Sequence, residues 1–521
     1  MGFLDRAVAA KGLRHRDTTA DLAALPDPSK PPGTETLAEI SHIVLLMMEN
    51  HSFDNYLGLL DHGQGVPVGP NGLPSVVNVR ADGTEVPLHH FDTTVQHSGV
   101  PTQSWTASHV QWAEGANDGF VRSIEETVPG GDPTVPMGYW TEADLPFYAG
   151  LARTYTLADR WFCSCLGPTF PNRRFLMAAT ADGLIDDVPT GMVDYPRTGT
   201  IFDLLDRYGI SWVNYHHTSP WRAFLKHLFP GGLRGARSVK LAAANVFPSI
   251  VKNAQKNIQF TADLYPLGLW RCLRHLRTIE RFAADAAAGT LPAVCIVDPD
   301  FTACSEENPQ DIHAGEGFAA WVIDAVTHGK GWPNTLLIWF YDEHGGYYDG
   351  VAPPAAVAPD DVQPKSLLQD GGPIRWLLKA LGKWTKLENV DSGAGHYDRY
   401  GFRVPAVVVS PYSKPGQVSS TVYDHTSALR LIEQKWNLPP LTRRDAAATA
   451  PLDMIDLDSP PSFLDPPPLP APAVAWPAAP LPPMPLPVRV GQAAGLVGRG
   501  ITPPTGGSAP PITYVPPEVD T

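Results

Sequence analysis

Acidic and amide side chains directly follow two apolar segments that lie far apart in the chain. Glu49 and Asn50 come after IVLLMM, and Asp342 and Glu343 come after TLLIWFY. An unbroken apolar run of this length is typical of a strand buried on both faces of a parallel sheet. Ligands of open α/β sheets bind beyond the carboxyl ends of such strands, so a shared sheet would bring these four side chains together. Their oxygen atoms predict a site for a hard divalent cation.

A third segment, GPTFPNRR, contains a candidate nucleophile. Thr169 stands just before a helix-compatible run, and Arg173 follows it by one helical turn. If a bound metal deprotonated the Thr169 hydroxyl, the helix N-terminus and Arg173 would receive the phosphate oxygens. The competing interpretation is a plain helix cap, because a Thr two residues before a Pro suits that role.

The residues at the strand ends also have structural interpretations. Glu49 and Asn50 could cap a helix after the first strand, although Glu is a poor cap. Asp342 and its acidic neighbour precede His344 and a Gly-Gly pair, which could form an ordinary turn. Adjacent acids at the end of a buried strand are costly unless they are paired or metal-bound, so function is favoured at this position.

Asp424 and His425 form a further candidate pair just before a predicted helix. A lone histidine at such a position is more often a cap or a core residue. The neighbouring carboxylate makes a metal ligand, or a histidine oriented by an acid, an equally reasonable interpretation.

The elements that would position these residues alternate along the chain. Alternating strands and helices predict an α/β fold with a mostly parallel, doubly wound central sheet flanked by helices. Irregular excursions at 58–91 and 353–391 are expected to cover the site. The predicted strands are Ile43–Met48, Ile210–Val213, Ala293–Val297, Thr335–Phe340 and Pro405–Ser410. The predicted helices are Ile201–Tyr208, Thr278–Ala288, Gly315–Thr327 and Thr426–Trp436.

Three regions of different composition divide the 521 residues. Residues 1–36 are polar and proline-containing and are expected to form a flexible leader. Residues 37–457 would form the catalytic domain. Residues 458–521 are rich in proline and lack any helical or strand period, which predicts an extended, disordered tail. Such a tail is either a partner-binding spacer or a solvated segment without a specific partner.

Charge and composition exclude several classes of partner. The net charge of −15 argues against nucleic acid and against tight adsorption to anionic lipid. A phosphate ester remains a suitable substrate because metal ions can supply positive charge locally. The five cysteines show no zinc or haem spacing, so reduced thiols are expected.

The sequence also bears on the compartment. No stretch approaches the ~20 apolar residues that a membrane span requires. The first residues lack the apolar segment and cleavage site of a signal peptide. The expected location is therefore the cytoplasm, with non-standard export left open. Nothing in the sequence indicates the oligomeric state.

Six segments in order resemble a bacterial phosphoesterase family of phospholipases C and acid phosphatases, within the alkaline-phosphatase-like superfamily. The segments are MMENHSFDNYLG, SWTASHVQWAEGANDGF, LGPTFPNRRFLMAAT, YDEHGGYYDGVAPP, RVPAVVVSPYSKPG and YDHTSALRLIE. The resemblance implies an alkaline-phosphatase-like fold and a metal site formed by the Glu49-Asn50 pair, Thr169 and the Asp342-Glu343 pair. It also implies phosphoryl transfer to Thr169, giving a phospho-enzyme that water cleaves. Arg173 and backbone donors would hold the developing charge.

Three departures from the family pattern affect histidines. The chain has Gln103, Asn308 and Gly350 where the family often has histidines that bind phosphate or protonate the leaving group. Glutamine and asparagine can donate a hydrogen bond but cannot act as general acids near neutral pH. The candidate substitutes are His344, His109 and His97.

The resulting prediction is a metal-dependent phosphoric ester hydrolase of phospholipase C type. Its cofactor would be a divalent ion, Ca²⁺, Mg²⁺, Mn²⁺ or Zn²⁺, and its partner a phosphate ester such as a phospholipid head group. The alternatives are a phosphomonoesterase of acid phosphatase type and a catalytically weakened binding or scaffold protein. A sulfatase is disfavoured because Thr169 stands where that enzyme class has a modifiable Cys or Ser.

Overall fold

A computed structural model of the chain describes residues 25–187, 196–217, 273–366 and 395–476. Its strands are β1 His42–Met48, β2 Val77–Val79, β3 Glu85–Pro87, β4 His89–His90, β5 Gly138–Tyr139, β6 Thr156–Ala158, β7 Trp212–His216, β8 Leu276–Thr278, β9 Val294–Val297, β10 Thr335–Tyr341, β11 Ala406–Val409 and β12 Val418–Ser419. Its helices are α1 Phe53–Leu57, α2 Trp105–Trp112, α3 Phe120–Thr127, α4 Pro146–Thr154, α5 Thr169–Ala178, α6 Ile201–Arg207, α7 Ile279–Ala288, α8 Ile312–Thr327, α9 His425–Lys435 and α10 Arg443–Ala447.

One sheet of eight strands organises these elements, in the order β12-β6-β11-β10-β1-β9-β7-β8. Strand β11 is antiparallel to both of its neighbours, and every other pair in the sheet is parallel. The described strands and helices therefore confirm the predicted α/β architecture with a large, mostly parallel sheet.

The two central strands explain why the acidic segments meet. Strands β1 and β10 pair along their whole length, from His42 with Thr335 to Met48 with Tyr341. Every residue of β10 and all but the first of β1 are buried, as the apolar runs predict. The residues that follow the two strands are therefore neighbours at the carboxyl edge of the sheet.

Most predicted elements are confirmed within one or two residues, but β7 begins later than expected. The sequence predicted Ile210–Val213, whereas the strand spans Trp212–His216. Ile210 instead closes the turn after α6 by donating to the Leu205 carbonyl at 2.9 Å. Strands β6, β8 and β12 were missed because two or three residues are too few to show a period.

The packed body extends beyond both predicted boundaries. Near the start, the backbone N–H groups of Gly33 and Thr36 donate to carbonyls at the end of α9. Near the other end, the Trp332 indole donates to the Phe463 carbonyl at 2.7 Å, and the Trp476 ring lies 5.4 Å from that of Phe318. Residues 458–476 thus lie against the body, while 1–24 and 477–521 fall outside the described residues.

Two further expectations concern thiols and membrane spans. The cysteines in the described part of the chain are free and buried, as expected, and Cys272 lies outside it. None of the helices in the described ranges combines the length and apolar character needed to cross a bilayer.

Candidate active site

The turns after β1 and β10 are packed against each other at the carboxyl edge of the sheet. The Asp342 N–H donates to the Met48 carbonyl at 3.2 Å, which continues the pairing past the strand ends. Asn50 takes a left-handed backbone conformation with φ of 74°. Gly345 also has a positive φ, and a side chain there would collide with the Asn50 carbonyl. The first glycine of the Gly-Gly pair noted in the sequence is therefore needed because the backbone of Asn50 approaches it closely.

Four oxygen-bearing side chains meet around Asn50. Its amide contacts Glu343 Oε1 and lies 3.2 Å from Asp342 Oδ1. The Thr169 Oγ1 lies 3.4 Å from Asn50 Oδ1. With its oxygen toward the carboxylates, the amide meets only acceptors, whereas with its nitrogen there it donates to both. Either that amide orientation or a cation among the oxygens would satisfy this cluster.

Thr169 is the first residue of α5 rather than its cap. Pro168 is the N-cap, and the side chain of Thr169 makes no capping bond. Its hydroxyl is therefore available to the cluster around Asn50, and the capping interpretation is wrong. Asn172 fixes the loop before the helix. Its amide oxygen accepts the Cys165 N–H at 3.0 Å, and its amide nitrogen donates to the Gly167 carbonyl at 2.8 Å.

Arg173 is fully buried between the two acidic turns. Its Nε donates to Asp342 Oδ2 at 3.0 Å, and its Nη2 lies 3.3 Å from the Met48 carbonyl and 3.5 Å from Glu49 Oε1. Its Nη1 has no hydrogen-bond partner in the described structure. Burial lowers the pKa of Arg173, but Asp342 and Glu49 oppose this and the net direction is upward. The guanidinium is thus a permanent cation at the strand ends.

The acids near the arginine resist ionisation. Burial raises the pKa of Asp342, although the charge of Arg173 opposes the change. Burial first, and the charge of Asp342 second, raise the pKa of Glu343 well above its ordinary value. Three acids and one arginine leave an excess of negative charge if all ionise, which costs energy in a buried site. This excess favours the entry of a cation or of a proton.

His344 is buried and neutral. Its Nε2 donates to Gln111 Oε1 at 2.7 Å, so the Nδ1 lone pair faces Glu343 Oε2 at 3.4 Å. Burial lowers the pKa of His344 to about 3. At neutral pH this ring remains neutral and can accept a hydrogen bond from Glu343 when that acid is protonated, but it does not supply a proton as a charged acid.

Asp424 and His425 lie behind the site, at the start of α9. His425 Nε2 donates to the Asp342 carbonyl at 2.6 Å, and burial lowers the pKa of its ring to about 4. Asp424 caps α9 and accepts the Ser164 hydroxyl at 2.8 Å. The pair thus supports the backbone of the acidic turn, and its role as a metal ligand stays a prediction.

Gln103 and Asn308 stand at departures from the family pattern, and His109 is a candidate substitute for the missing histidines. The Asn308 Nδ2 donates to the Val100 carbonyl at 3.0 Å and to the Tyr347 hydroxyl at 3.1 Å. His109 Nδ1 donates to the Trp105 carbonyl at 2.8 Å. Gln103 is buried. No hydrogen bond joins any of these three side chains to the Asn50 cluster in the described structure, and their roles stay predictions.

Asp298 is an acid at the strand ends that sequence reasoning missed. It follows β9, which pairs with β1 on the side opposite β10. Its Oδ2 accepts Asn214 Nδ2 at 2.9 Å, and its Oδ1 has no hydrogen-bond partner in the described structure. Burial raises the pKa of Asp298 to about 6 against the opposing charge of Arg173. Its position after a predicted buried strand was the same signal that identified Glu49.

The donor set suits a hard cation, but its geometry is not that of a complete metal centre. Carboxylate, amide and hydroxyl oxygens are the ligands that Ca²⁺, Mg²⁺ and Mn²⁺ prefer. Among the residues that the structure describes, no three His, Cys, Asp or Glu side chains are grouped as metal ligands. In the amide orientation with the Asn50 oxygen toward the carboxylates, the acceptor oxygens of Asn50, Asp342 and Glu343 face one another, as ligands of one ion would.

A family model and several relatives both connect this chain with phosphoesterases. The model of the Phosphoesterase family matches residues 40–439. A non-hemolytic phospholipase C of Pseudomonas aeruginosa is 30% identical over 430 residues, covering 77% of this chain and 54% of the relative. Phospholipase C B of Mycobacterium tuberculosis is 31% identical over 439 residues, covering 77% of this chain and 74% of the relative. This chain thus spans about half the length of the Pseudomonas relative.

A more distant plant relative and a solved structure are also similar. The non-specific phospholipase C6 of Arabidopsis thaliana is 27% identical over 449 residues, covering 80% of this chain and 72% of the relative. A solved protein of the alkaline phosphatase superfamily from Vibrio parahaemolyticus aligns with a TM-score of 0.30 and 10% identity, over 85% of this chain and 77% of that protein. So low a score adds nothing to what the sheet itself shows.

Proposed function

Since this chain belongs to the phosphoesterase family, we propose that it hydrolyses phosphoric esters as a phospholipase C-type enzyme with Thr169 as its nucleophile. The observation that supports this proposal is the position of the Thr169 hydroxyl. It lies at the start of α5 and 3.4 Å from the Asn50 amide, beside the acids that follow β10. The relatives named phospholipase C make a phosphodiester of a lipid head group the first substrate to test.

In the proposed reaction, Thr169 Oγ1 attacks the phosphorus atom. A bond forms between that oxygen and phosphorus as the bond to the leaving alcohol breaks, and water later cleaves the phospho-threonine. The unpartnered Nη1 of Arg173 and the N–H groups of the first two residues of α5 are the donors proposed for phosphoryl oxygens, since Pro171 has no N–H and that of Asn172 donates to the Pro168 carbonyl. Arg173 also holds Asp342 and Glu49 in place, because both carboxylates contact its guanidinium.

A divalent ion is part of the proposal. Asn50, Asp342, Glu343 and Thr169 would hold it, and Glu49 would complete the set. When bound, it would lower the pKa of the Thr169 hydroxyl and neutralise charge on the phosphoryl group. Carboxylates that hold an ion are deprotonated, so ion binding would oppose the raised pKa values of Asp342 and Glu343, and the proton of the Thr169 hydroxyl would pass to water.

The proposal is tested by assaying the full chain on p-nitrophenylphosphorylcholine, a diester, and on p-nitrophenyl phosphate, a monoester. We expect Thr169→Ala to lower kcat by at least ~10³-fold, because no other group replaces a missing nucleophile. A chelator should abolish turnover, and an added divalent ion should restore it. Thr421→Ala is the matched control, since the Thr421 hydroxyl bonds Asp453 far from the cluster.

Each result has a distinct meaning. Preference for the diester supports the phospholipase C type, and preference for the monoester supports an acid phosphatase type. Full activity of Thr169→Ala would disprove the threonine mechanism. A metal-replete wild type that is inert on both substrates would favour a binding or scaffold protein, in keeping with the structural engagement of Asn308.

A further inference from the structure

A small excursion beyond the sheet exposes apolar side chains to solvent. This apolar excursion comprises residues 66–88, between α1 and β4. It contains four of the seven large apolar side chains that are exposed in the described residues. Val68 is 54% exposed, Leu73 57%, Val77 44% and Val79 43%. Such a concentration on one segment is unusual, because exposed apolar side chains are normally scattered.

Pairing of β2 with β3 fixes the direction of these valines. Asn78 and Val86 are opposite each other and are buried on the inner face. The Asn78 amide oxygen accepts the Phe120 N–H at 3.0 Å, which ties the inner face to α3. Val77 and Val79 alternate with Asn78 along β2 and must therefore share the outer face. Their exposure is a consequence of strand register rather than of a loose loop.

The inner face connects the apolar excursion to the rim of the candidate active site. Val66 and Val86 pack with Phe120 and Phe402 in one buried cluster. The Phe402 ring lies 4.5 Å from that of His344, which follows the acidic pair after β10. The apolar excursion therefore stands on the same edge of the sheet as Thr169 and the acids.

Charge distinguishes the first part of the excursion from the rest of the chain. Residues 66–79, which include all four exposed apolar side chains, contain no Asp, Glu, Lys, Arg or His, although 18% of the whole chain is charged. Three charged residues of the excursion follow in the turn and in β3, namely Arg80, Asp82 and Glu85, and Glu85 is exposed opposite Val79. The net charge of −15 disfavours an anionic surface as a partner. A segment with four exposed apolar side chains and no charge of its own between residues 66 and 79, on an acidic protein, fits an electrically neutral layer that has an apolar interior.

We propose that the apolar excursion inserts Leu73, Val77 and Val79 into the surface of a zwitterionic phospholipid layer. The insertion would hold the carboxyl edge of the sheet, with Thr169, against the head groups. This inference rests on the proposed action on phospholipid esters. It adds that the protein would bind its substrate as part of a lipid layer rather than as single dissolved molecules. The hydrophobic effect provides the attraction, so binding should not require added salt or basic residues.

The test is cosedimentation of the full chain with phosphatidylcholine vesicles, without any need for turnover. We expect the double variant Val77→Ser with Val79→Ser to partition at least about tenfold more weakly than wild type, because two valines lose their apolar burial. Val357→Ser is the matched control, since Val357 is 46% exposed and lies outside the excursion. Replacing part of the lipid with phosphatidylglycerol should weaken the binding of wild type.

The outcomes separate this inference from the proposed function. Unchanged hydrolysis of soluble p-nitrophenylphosphorylcholine by the double variant, with weaker vesicle binding, supports both. Weaker vesicle binding by a protein inert on soluble substrates supports docking alone. Equal partition of wild type and the double variant would overturn the docking proposal. So would a dimer, detected by sedimentation velocity, that the double variant abolishes, because a second copy would then cover the excursion.

Discussion

Two buried arginines each face a pair of acids, but only in Arg403 does every guanidinium nitrogen donate a hydrogen bond. Arg403 donates from Nε to Asp349 at 2.9 Å and from Nη2 to Asp54 at 3.0 Å. Its Nη1 donates to the carbonyls of Gln64 and Asp159. The guanidinium also lies 4.6 Å from the Phe53 ring centre. This cluster ties the turn after β1 to the segment before β11.

Arg173 is equally buried but less completely bonded. It faces Asp342 and Glu49, yet its Nη1 has no partner in the described structure and Asp298 Oδ1 nearby has none either. Buried polar groups without partners are rare in structural clusters and frequent where a ligand completes the set. Of these two arginines, Arg173 is therefore the one with a nitrogen left to donate to a ligand.

The largest effect is expected from removing the saturated arginine. Arg403→Met should lower the free energy of unfolding by about 3–5 kcal/mol, because Asp54 and Asp349 would remain buried without a cation. Chemical denaturation of this variant and of Arg173→Met measures the contrast. The proposed contrast between the two arginines would be disproved if Arg173→Met lost more free energy of unfolding than Arg403→Met.

Removing the unsaturated arginine should act mainly on catalysis. Arg173→Met should lower kcat by about 10²–10³-fold, because a donor to the developing charge is lost. Steady-state kinetics at a temperature where the variant remains folded provide the measurement, with circular dichroism as the check on folding. If kcat is unchanged, Arg173 has only the structural role that Arg403 has.

A third buried cluster contains an acid, Glu306, that is bonded by tyrosines instead of an arginine, and its contribution to stability should depend on pH. Glu306 accepts the hydroxyls of Tyr56, Tyr148 and Tyr341, and burial raises its pKa to about 8. The folded protein therefore binds the proton more tightly than the unfolded chain does. Its contribution to stability is complete below about pH 4.5 and is lost as the pH rises through about 8.

The measurement is the free energy of unfolding from pH 5 to pH 8. Glu306 should contribute a decrease of up to ~1.4 kcal/mol per pH unit across this window. Glu306→Gln should flatten the curve, because its amide cannot lose a proton. A slope that is identical in wild type and variant would show that Glu306 does not titrate there.

The sheet was predictable from sequence because its central strands are long and wholly apolar. The runs that became β1 and β10 are buried along six and seven residues respectively, and that pattern has few alternatives. Strand β7 includes Asn214 and His216, which are buried polar residues that the periodic pattern does not anticipate. Its position depends on pairing with β9, which only the folded chain shows.

The site was predictable in its residue types but less so in its contacts. The register of β1 and β10 places the turns that follow them side by side, and there Asn50, Asp342 and Glu343 lie close together, with the Thr169 hydroxyl beside Asn50. That Arg173 lies between Glu49 and Asp342 depends on how α5 packs on the sheet, which spacing along the chain does not encode. Asp298 was missed because Pro299, rather than a second acidic or amide residue, follows it at the end of the predicted strand.

The position of β1 at the middle of the sheet has a consequence for biosynthesis. Both of its partners, β9 and β10, are encoded far downstream. At roughly 5–20 residues per second, a ribosome reaches them roughly 12–60 seconds after it has made β1. During that interval the nascent chain displays an unpaired apolar strand, and we expect its yield in cells to depend on chaperones that shield this segment.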